Sequence, residues 1–315
     1  MNPQVSAEAL ELGGLVRQRI EAEGGVDLLR RCASEPSGRD AIGRMLAELG
    51  IWELDASEGA VELEAAAEVC RAAGAFALPY PVVERLGRSG GAGATALIAR
   101  EGLSVGMHLD LGLGWNALDL TGRVYEVAAA DVPALRTQLA PFGSELKTSP
   151  GDELEPYRAA VLSTLNSWWL LGLLESAFED TSNYTHEREQ FGQQLVRFQS
   201  VAFQLAEMSL AVVSVGELAK YTLWALSSGS DPLDSLIESL ALRVAAQQAA
   251  DVVLRGAHQL HGAMGFTDEV NISWLSRASQ GPRRLPEDRQ RTLGLFTELV
   301  EARGYADFGR RPAVR

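Results

Sequence analysis

Cysteine is scarce in this sequence of 315 residues, and its scarcity excludes two kinds of structural element. The two cysteines, Cys32 and Cys70, each lie in an apolar stretch with helical periodicity. Neither has a second cysteine or a histidine at metal-ligand spacing. A disulfide framework and a structural zinc site are therefore not expected, and the sequence predicts no metal centre.

Basic residues are also in short supply. The chain has 28 Lys and Arg residues against 42 Asp and Glu residues, which gives a net charge of -14. Because proteins that bind polyanions use a cationic face to release counterions, this balance argues against nucleic acids and anionic membranes as partners. Any anionic ligand must be bound by a local group of basic side chains.

Uninterrupted apolar runs of membrane-spanning length are missing as well. The composition, 46% hydrophobic and 22% charged, is typical of globular proteins with two or three domains at this length. The first residues show no charged leader before an apolar run. No uninterrupted apolar segment approaches the roughly 20 residues that cross a bilayer. We expect a cytoplasmic protein without a membrane partner.

Three blocks of different character follow one another along the chain. Residues 1–88 show helical periodicity, which ends where two prolines stop an alanine-rich stretch. Residues 89–150 are rich in glycine and contain short alternating runs, such as RVYEV at 123–127, which predict a small sheet. Residues 151–315 carry long helical patterns with short connections, which predict an antiparallel bundle. The predicted fold class is mainly α with a small β domain.

The helices of the bundle can be placed from start signals and spacing. Pro156 suits the first turn of a helix, and Asp231 followed by Pro232 can cap and start another. The predicted helices cover residues 156–186, the region around 201–212, 232–261, about 268–279 and about 287–303.

The loop between the first two bundle helices is rich in planar hydrogen-bonding groups. It reads HEREQFGQQLVRFQ over residues 186–199. Arg188 offers a planar fork of donors that suits a phosphate or pyrophosphate, while Gln190 and Gln199 add neutral donors and acceptors. Phe191 can cover a flat ring. The alternative is a solvated helix connection in which Arg188 pairs with a neighbouring glutamate.

A second motif, HQLHGAMGFTDEV, occupies residues 258–270. Together with NYTHEREQFGQQLVRFQSVAFQLAEM, it closely resembles two C-terminal signatures of the flavin-dependent acyl-CoA dehydrogenase family. The resemblance covers the C-terminal block, has support from LAELGIWEL and GAFALPYPVVERLG in the N-terminal block, and fails in the middle. It implies an N-terminal helical domain, a β domain reduced in this chain, and a C-terminal antiparallel four-helix bundle, with FAD at a subunit interface.

The resemblance also implies which residues contact the cofactor. They would meet the pyrophosphate and adenosine of a FAD whose flavin belongs to the neighbouring subunit. The expected contacts are Arg188, Gln190, Phe191 and Gln199 from the first motif, and Gln259, Gly262, Ala263 and Gly265 from the second. Ala263 departs from the usual glycine of the family, which narrows the approach by one methyl group.

The residues of the reaction itself depart from the family. Acyl-CoA dehydrogenation needs a carboxylate to remove the α-proton while the flavin accepts a hydride. The two family positions for this glutamate fall on Pro286 and Leu162, which cannot act as bases. Glu287 lies one residue from the first position, outside its usual small-residue context. The flavin-holding segment of the family has no counterpart between residues 90 and 150, where Trp115 is isolated.

These departures predict a non-catalytic subunit of a heteromeric acyl-CoA dehydrogenase. A larger homologous partner would supply the base and the flavin pocket, in an α2β2 heterotetramer acting on an acyl-CoA. Analogy suggests a bulky substrate such as a steroid side-chain thioester. Two alternatives stay open: a homodimeric protein of this fold without redox activity, working in binding or as a lyase, and an active homo-oligomeric dehydrogenase using Glu287.

Three further features have structural interpretations. His258 and His261 are three residues apart, but no third ligand is evident, so helix-end packing is favoured. Trp168 and Trp169 are expected in the bundle core. The segment RRLPEDRQR at 283–291 is interpreted as a solvated turn before the last helix.

Overall fold

The N-terminal part of the chain is helical, as its periodicity predicts. The computed structural model describes residues 4–88, 93–102, 104–128, 142–229 and 231–304. Its first helices are α1 (Ala7–Ala22), α2 (Asp27–Ser34), α3 (Arg39–Glu48), α4 (Ala60–Ala75) and α5 (Val82–Leu86). Gly50, with a φ of 72°, follows α3 and lets the chain turn. Pro79 and Pro81 separate α4 from α5.

The middle of the chain forms small sheets. The strands are β1 (Ala94–Ile98), β2 (Val105–Met107), β3 (Trp115–Asp119), β4 (Arg123–Val127), β5 (Gly143–Glu145) and β6 (Thr148–Leu154). Four strands pair in the order β1-β3-β4-β6, with β1 parallel to β3 and the other pairs antiparallel. A separate antiparallel pair joins β2 to β5. The run RVYEV is β4, as predicted, and the sheet ends four residues beyond the predicted boundary at 150.

The C-terminal part is a bundle of long helices. Its elements are α6 (Pro156–Glu187), a hairpin of β7 (Glu189–Gln190) and β8 (Gln193–Gln194), α7 (Gln199–Ser227), α8 (Pro232–His261), α9 (Asn271–Ala278), α10 (Gln280–Arg284) and α11 (Arg289–Arg303). Asp231 caps α8 as predicted, since its Oδ1 accepts from the backbone N–H of Leu233 at 2.8 Å. The fold-class prediction is confirmed.

The N-terminal helices pack on the bundle where two glycines let α4 and α6 cross at close range. A β-carbon at Gly74 would overlap the carbonyl oxygen of Trp169, and one at Gly172 would overlap the carbonyl oxygen of Arg71. One hydrophobic core runs through both parts of the chain. Trp168 and Trp169 are both buried in it, which confirms their predicted core position.

The segment 283–291 is not a simple solvated turn, and that prediction is wrong for its centre. Arg243 of α8, itself buried, donates to the backbone oxygens of Leu285 at 2.6 Å and Glu287 at 3.0 Å. Gln247, one turn further along α8, donates to the backbone oxygen of Glu287 at 3.1 Å. Burial lowers the pKa of Arg243 to about 10, against the opposing charge of Glu287. The backbone carbonyl groups of the turn thus supply the hydrogen bonds that a buried guanidinium requires.

Candidate functional site: a cofactor and partner surface at one end of the bundle

The two sequence motifs lie together at one end of the bundle. Tyr184, in the last turn of α6, stacks on His261 at the end of α8, with ring centroids 4.4 Å apart. The start of α7 lies beside the same end of α8, where a β-carbon at Gly256 would come 2.6 Å from the sulfur of Met208. The loop after α6, the first turns of α7 and the segment after α8 therefore form one continuous surface.

The loop after α6 is a hairpin that holds Phe191 in solvent. Strands β7 and β8 pair in antiparallel register. Phe191 and Gly192 make the turn with φ values of 55° and 80°, the left-handed region that two-residue hairpin turns require. Phe191 is 93% exposed, and its ring meets Phe198 edge-on at 6.2 Å between centroids. Because phenylalanine is uncommon at positive φ, the backbone here fixes an aromatic ring outside the protein at some conformational cost.

Arg188 lies at the base of this hairpin with its side chain in solvent. Its backbone is fixed, since its N–H donates to Tyr184 at 2.8 Å and its carbonyl accepts from the N–H of Leu195 at 2.9 Å. Its guanidinium forms no ion pair with any described carboxylate, so the alternative pairing with Glu187 or Glu189 does not form. A cation without a partner beside an exposed ring can receive an external anion.

The three glutamines predicted to contact the cofactor also face solvent at this end. Gln190 is exposed in the hairpin, and its amide donates to the backbone of Glu189 at 2.8 Å. Gln199 is exposed as the first residue of α7. Gln259 is exposed in the last turn of α8. All three amides lie in the elements that form the common surface.

The glycines of the second motif have different surroundings. Gly262 ends α8 with a φ of 60°, and a β-carbon there would meet no atom within 4 Å, so its backbone is open to a ligand. Ala263 is exposed beside it. Gly265 is buried, and a β-carbon there would lie 3.1 Å from the Cβ of His261 and 3.4 Å from the Cα of His258. Packing therefore accounts for this glycine independently of any cofactor.

The two histidines pack at the helix end, as predicted. His258 stacks on Phe266 at 4.7 Å, and His261 stacks on Tyr184. Burial lowers the pKa of both imidazoles. Within the described ranges, no group of three or more ligating side chains is placed to hold a metal ion.

An apolar surface runs from the hairpin along α7. We call it the α7 face and define it by Phe203, Leu210 and Val213, which are 65%, 67% and 58% exposed. Their spacing places them on one side of the helix. Surfaces of this kind mark contact sites for proteins or membranes.

The residues of this face were not assigned from the sequence, because only the buried side of α7 was placed from its spacing. The signal was available, since apolar residues occupy both sides of the helix. Among the described helices, α7 has the length and hydropathy to cross a membrane, with a mean hydropathy of 1.4 over a window that is only 22% buried. The sequence predicted no uninterrupted apolar segment of membrane-spanning length, whereas α7 meets the length and hydropathy of such a segment. Its apolar sequence is interrupted by the charged residues Glu207, Glu217 and Lys220. A single helix of this kind is weak evidence for a membrane span.

The described residues leave two small cavities at the junction between the sheet, the N-terminal helices and the bundle. Two cavities of about 70 and about 60 Å³ lie there. Their shared lining consists of Val83, Glu84, Met107, Asn166 and Pro282. Sites for ligands of the size of a flavin ring measure about 300 to 1,000 Å³, so neither cavity admits one.

The wall between these cavities contains a carboxyl group that sequence analysis did not single out. Burial raises the pKa of Glu84 to about 7, and no described cation pairs with it. In the first cavity, burial and the neighbouring Arg39 lower the pKa of His108 to about 3, with 3.2 Å between its Nδ1 and the guanidinium. The only signal for Glu84 was a charge inside the apolar run VVERL, which is indistinguishable from an exposed helix position.

The positions of a catalytic base hold no carboxylate facing the junction. Leu162 and Pro286 are both buried there. Glu287 is buried, but its Oε1 accepts from the backbone N–H of Arg100 at 3.2 Å and its Oε2 lies 3.6 Å from the guanidinium of Arg291. Its side chain lines neither junction cavity and faces a separate cleft beside α11.

A family model, "Acyl-CoA dehydrogenase, C-terminal domain", matches residues 164–284, which include both motifs. The C-terminal part of this chain is thus similar to the C-terminal domain of acyl-CoA dehydrogenases. The matched region contains most of the bundle, with the hairpin, α7 and the segment after α8. The resemblance drawn from the sequence is therefore confirmed at the level of the family.

Curated relatives align with part of the chain. A 3-sulfinopropanoyl-CoA desulfinase of Paraburkholderia xenovorans is 27% identical over 42% of this chain and 35% of its own length. The acyl-CoA dehydrogenase FadE28 of Mycobacterium tuberculosis is 38% identical over 30% of this chain and 27% of its own length. The alignments thus span about a third or less of these relatives.

Solved structures match nearly the whole fold. A variant of the Tcur3481-Tcur3483 steroid ACAD has a TM-score of 0.79 and 18% identity, covering 96% of this chain and 100% of that one. The ChsE4-ChsE5 complex from Mycobacterium tuberculosis has a TM-score of 0.75 and 20% identity, covering 99% and 100%. At these identities the likeness establishes the fold.

Members of this family depend on FAD, and the chain fits one end of that cofactor. The unpaired guanidinium of Arg188, the exposed ring of Phe191 and the open backbone of Gly262 suit a pyrophosphate and an adenosine. The junction cavities, about 70 and about 60 Å³, do not fit the flavin ring. The described residues of this chain thus suit the nucleotide end of FAD but leave no cavity large enough for its flavin ring.

Proposed function

We propose that this chain is the non-catalytic subunit of a heteromeric FAD-dependent acyl-CoA dehydrogenase and completes the FAD site of a larger homologous partner. One observation carries the proposal: the chain displays an exposed clamp for the nucleotide end of FAD, while the two cavities that the described residues form at its own sheet–bundle junction are too small for the flavin ring. A chain with both features contributes to a neighbour's site and receives no equivalent contribution.

The clamp acts through charge and shape. The guanidinium of Arg188 binds the pyrophosphate with charge-assisted hydrogen bonds, which are among the strongest available to a surface site. Phe191 covers the adenine ring, and the backbone at Gly262 approaches the phosphates. The full proposed contact set is Arg188, Gln190, Phe191, Gln199, Gln259, Gly262, Ala263 and Gly265.

The partner supplies the chemistry. FAD, when bound, provides the acceptor for a hydride from the acyl-CoA. Removal of the α-proton needs a carboxylate. Leu162 and Pro286 occupy both family positions for it in this chain, and Glu287 is bonded to the backbone of Arg100. In this proposal, this chain binds and orients FAD, and its partner carries out the reaction on the acyl-CoA.

The α7 face is the proposed docking surface for the partner. Its exposed apolar side chains lie on the same helix that begins at the clamp, so one contact buries the face and closes the cofactor site. An α2β2 heterotetramer is the proposed assembly. It is supported by the names of two similar structures, a ChsE4-ChsE5 complex and a Tcur3481-Tcur3483 steroid ACAD. The second name also supports a bulky, steroid-like acyl-CoA as the substrate.

A second candidate has one observation in its favour. The similarity to a desulfinase acting on 3-sulfinopropanoyl-CoA points to acyl-CoA chemistry other than dehydrogenation. A homodimer of this chain could then work without redox activity. The small junction cavities count against it, because any reaction inside the chain's own fold needs space for the acyl group.

Co-expression with full-length homologous chains tests the proposal. We expect this chain alone to purify without flavin, and the complex to hold one FAD for every two chains. Flavin absorbance, quantified amino acids and native mass spectrometry give the ratio. One flavin per copy of this chain expressed alone, with dehydrogenase activity, would overturn the proposal and favour the homo-oligomeric enzyme that uses Glu287. Flavin-free homodimers that form no complex with any co-expressed homologue would favour the second candidate.

A further inference from the structure

The α7 face carries a charged side chain among its apolar residues. Glu207 is exposed and lies one helical turn from Phe203 and one turn from Leu210. Its carboxylate forms no ion pair with a cation in the described part of the chain. Any partner that covers Phe203 and Leu210 therefore covers this carboxylate as well and removes it from water.

The exposed residues of α7 form a line that suits contact with another helix. The line consists of Phe203, Glu207, Leu210, Ser214 and Glu217, which are all exposed. They follow one another at alternating intervals of four and three residues. This spacing is the repeat of about 3.5 residues with which one α-helix packs along another. The partner that fits the face thus presents a helix lying along α7.

The second acidic residue of this line is already compensated within the chain. The Nζ of Lys220 lies 2.6 Å from Oε1 of Glu217, in an ion pair between neighbouring turns of α7. The sequence of α7 contains no other basic residue, so residues 199–219 have no Lys or Arg. A second copy of this chain that docks α7 against α7 has no basic side chain on that stretch to place beside Glu207.

A carboxylate that is covered at an interface needs a cation or several hydrogen-bond donors in place of its water. Without them, the cost of removing the charge from water opposes association. Charges within an interface therefore act strongly on the choice of partner, since they penalise surfaces that leave them unpaired. Glu207 discriminates in this way against any surface that is only apolar, including α7 of a second copy.

We propose that Glu207 selects the partner of the α7 face: a helix of a different chain that presents apolar side chains and one arginine or lysine beside this carboxylate. In the isolated chain the same carboxylate keeps the face from pairing with a second copy. The net charge of -14 adds to the preference for a basic group on the opposite side. The inference rests on the proposed function for the place of the contact and adds the chemistry of the partner.

Self-association of the isolated chain tests the discrimination against a second copy. Glu207→Leu should lower the dissociation constant of self-association at least about tenfold, because the face then becomes apolar where it was charged. Analytical ultracentrifugation over a concentration series gives this constant. Glu11→Leu is the matched control, since Glu11 is exposed on α1 and has no ion pair with a described cation. An unchanged constant for Glu207→Leu overturns the proposal, as does a wild-type dimer that Leu210→Asp separates.

The complex with a co-expressed homologue tests the basic group on the partner. Glu207→Gln should weaken the complex at least about tenfold, and Glu207→Lys further, because a cation of the partner then lacks its counter-charge or meets a like charge. The dissociation constant of the Glu207→Gln complex should also depend less on salt concentration, which a purely steric role would not change. Wild-type affinity in Glu207→Lys, or wild-type salt dependence in Glu207→Gln, would contradict the proposal.

This inference and the proposed function fail separately. A complex that shows this charge dependence but holds no FAD contradicts the proposed function and supports the role of Glu207. Where no homologue forms a complex, the proposed function fails, and a Glu207→Leu chain that self-associates no better than wild type overturns this inference too. Binding of the isolated chain to neutral phosphatidylcholine vesicles would also overturn it, because the face would then fit a membrane.

Discussion

Replacing Arg188 by alanine separates a role in cofactor binding from a role in folding. The side chain is exposed, and its guanidinium has no ion pair with a described carboxylate. Its removal should therefore change the free energy of unfolding of the isolated chain by no more than about 0.5 kcal/mol. The backbone hydrogen bonds that hold the hairpin at this position remain, because alanine retains them.

The cost to the cofactor site should be much larger. A hydrogen bond to a charged group contributes about 1.5 to 3 kcal/mol. Since about 1.4 kcal/mol corresponds to a factor of ten, Arg188→Ala should weaken FAD retention by the complex roughly 10- to 150-fold. The physical reason is that a methyl group cannot replace the charge-assisted hydrogen bonds between the guanidinium and the pyrophosphate.

The measurement compares FAD content and FAD dissociation in complexes made with wild-type chain, Arg188→Ala and Arg44→Ala. Arg44 is a matched control because it is exposed on α3 and forms no ion pair in the described ranges. Equal FAD retention by all three complexes would refute the clamp. A large drop in the melting temperature of isolated Arg188→Ala would refute the argument that this side chain does not stabilise the folded chain.

Three further predictions follow from other features. Leu210→Asp should abolish co-purification with the partner while the isolated chain melts normally, since this side chain is 67% exposed. Val61→Asp, at a position 69% exposed on α4, is the control. A complex that still forms with Leu210→Asp would argue against the α7 face as the docking surface. Gly172→Ala should destabilise the chain by about 1 to 3 kcal/mol or more through overlap of helix backbones, whereas Gly294→Ala, exposed with open space around it, should stabilise α11 by up to about 1 kcal/mol; urea denaturation compares them, and equal effects would contradict the packing argument. Burial raises the pKa of Glu84 in the folded chain to about 7, above its ordinary 4.5, so its contribution to the free energy of unfolding is fully present below about pH 4.5 and is lost as the pH rises through 7. Relative to wild type, Glu84→Gln should therefore gain roughly 1 to 3 kcal/mol in the free energy of unfolding between pH 5 and pH 8. A difference that stays constant across that range would show that the carboxyl is solvated.

Much of the fold could be predicted from local signals. Helix periodicity, Pro156 and the Asp231 cap located α6, α8 and the start of α7 to within a few residues, because these signals lie in the elements themselves. The short strands β1 and β3 were missed. Their pairing is set by contacts between distant residues, which no local pattern reports.

The candidate site divides in the same way. The exposed motif around Arg188 was predicted, since the residue types and the turn glycine are adjacent in sequence. The sequence also predicted that the flavin-holding segment is missing, but it did not identify the residues at the junction, because Glu84, Met107 and Pro282 come together from three parts of the fold. The burial of Glu287 was missed for a similar reason: Arg243, 44 residues earlier, binds its backbone oxygen.

The left-handed turn at Phe191 has a consequence for assembly. The hairpin is shaped by its own strand pairing before any ligand arrives, so little conformational freedom remains to be lost on binding. If the cofactor bridges two chains there, thermodynamic linkage makes the effect reciprocal: FAD tightens subunit association by the same factor by which the second subunit tightens FAD. The amount of assembled enzyme would then follow the supply of cofactor as well as the supply of either chain, and dilution would release cofactor and subunit together.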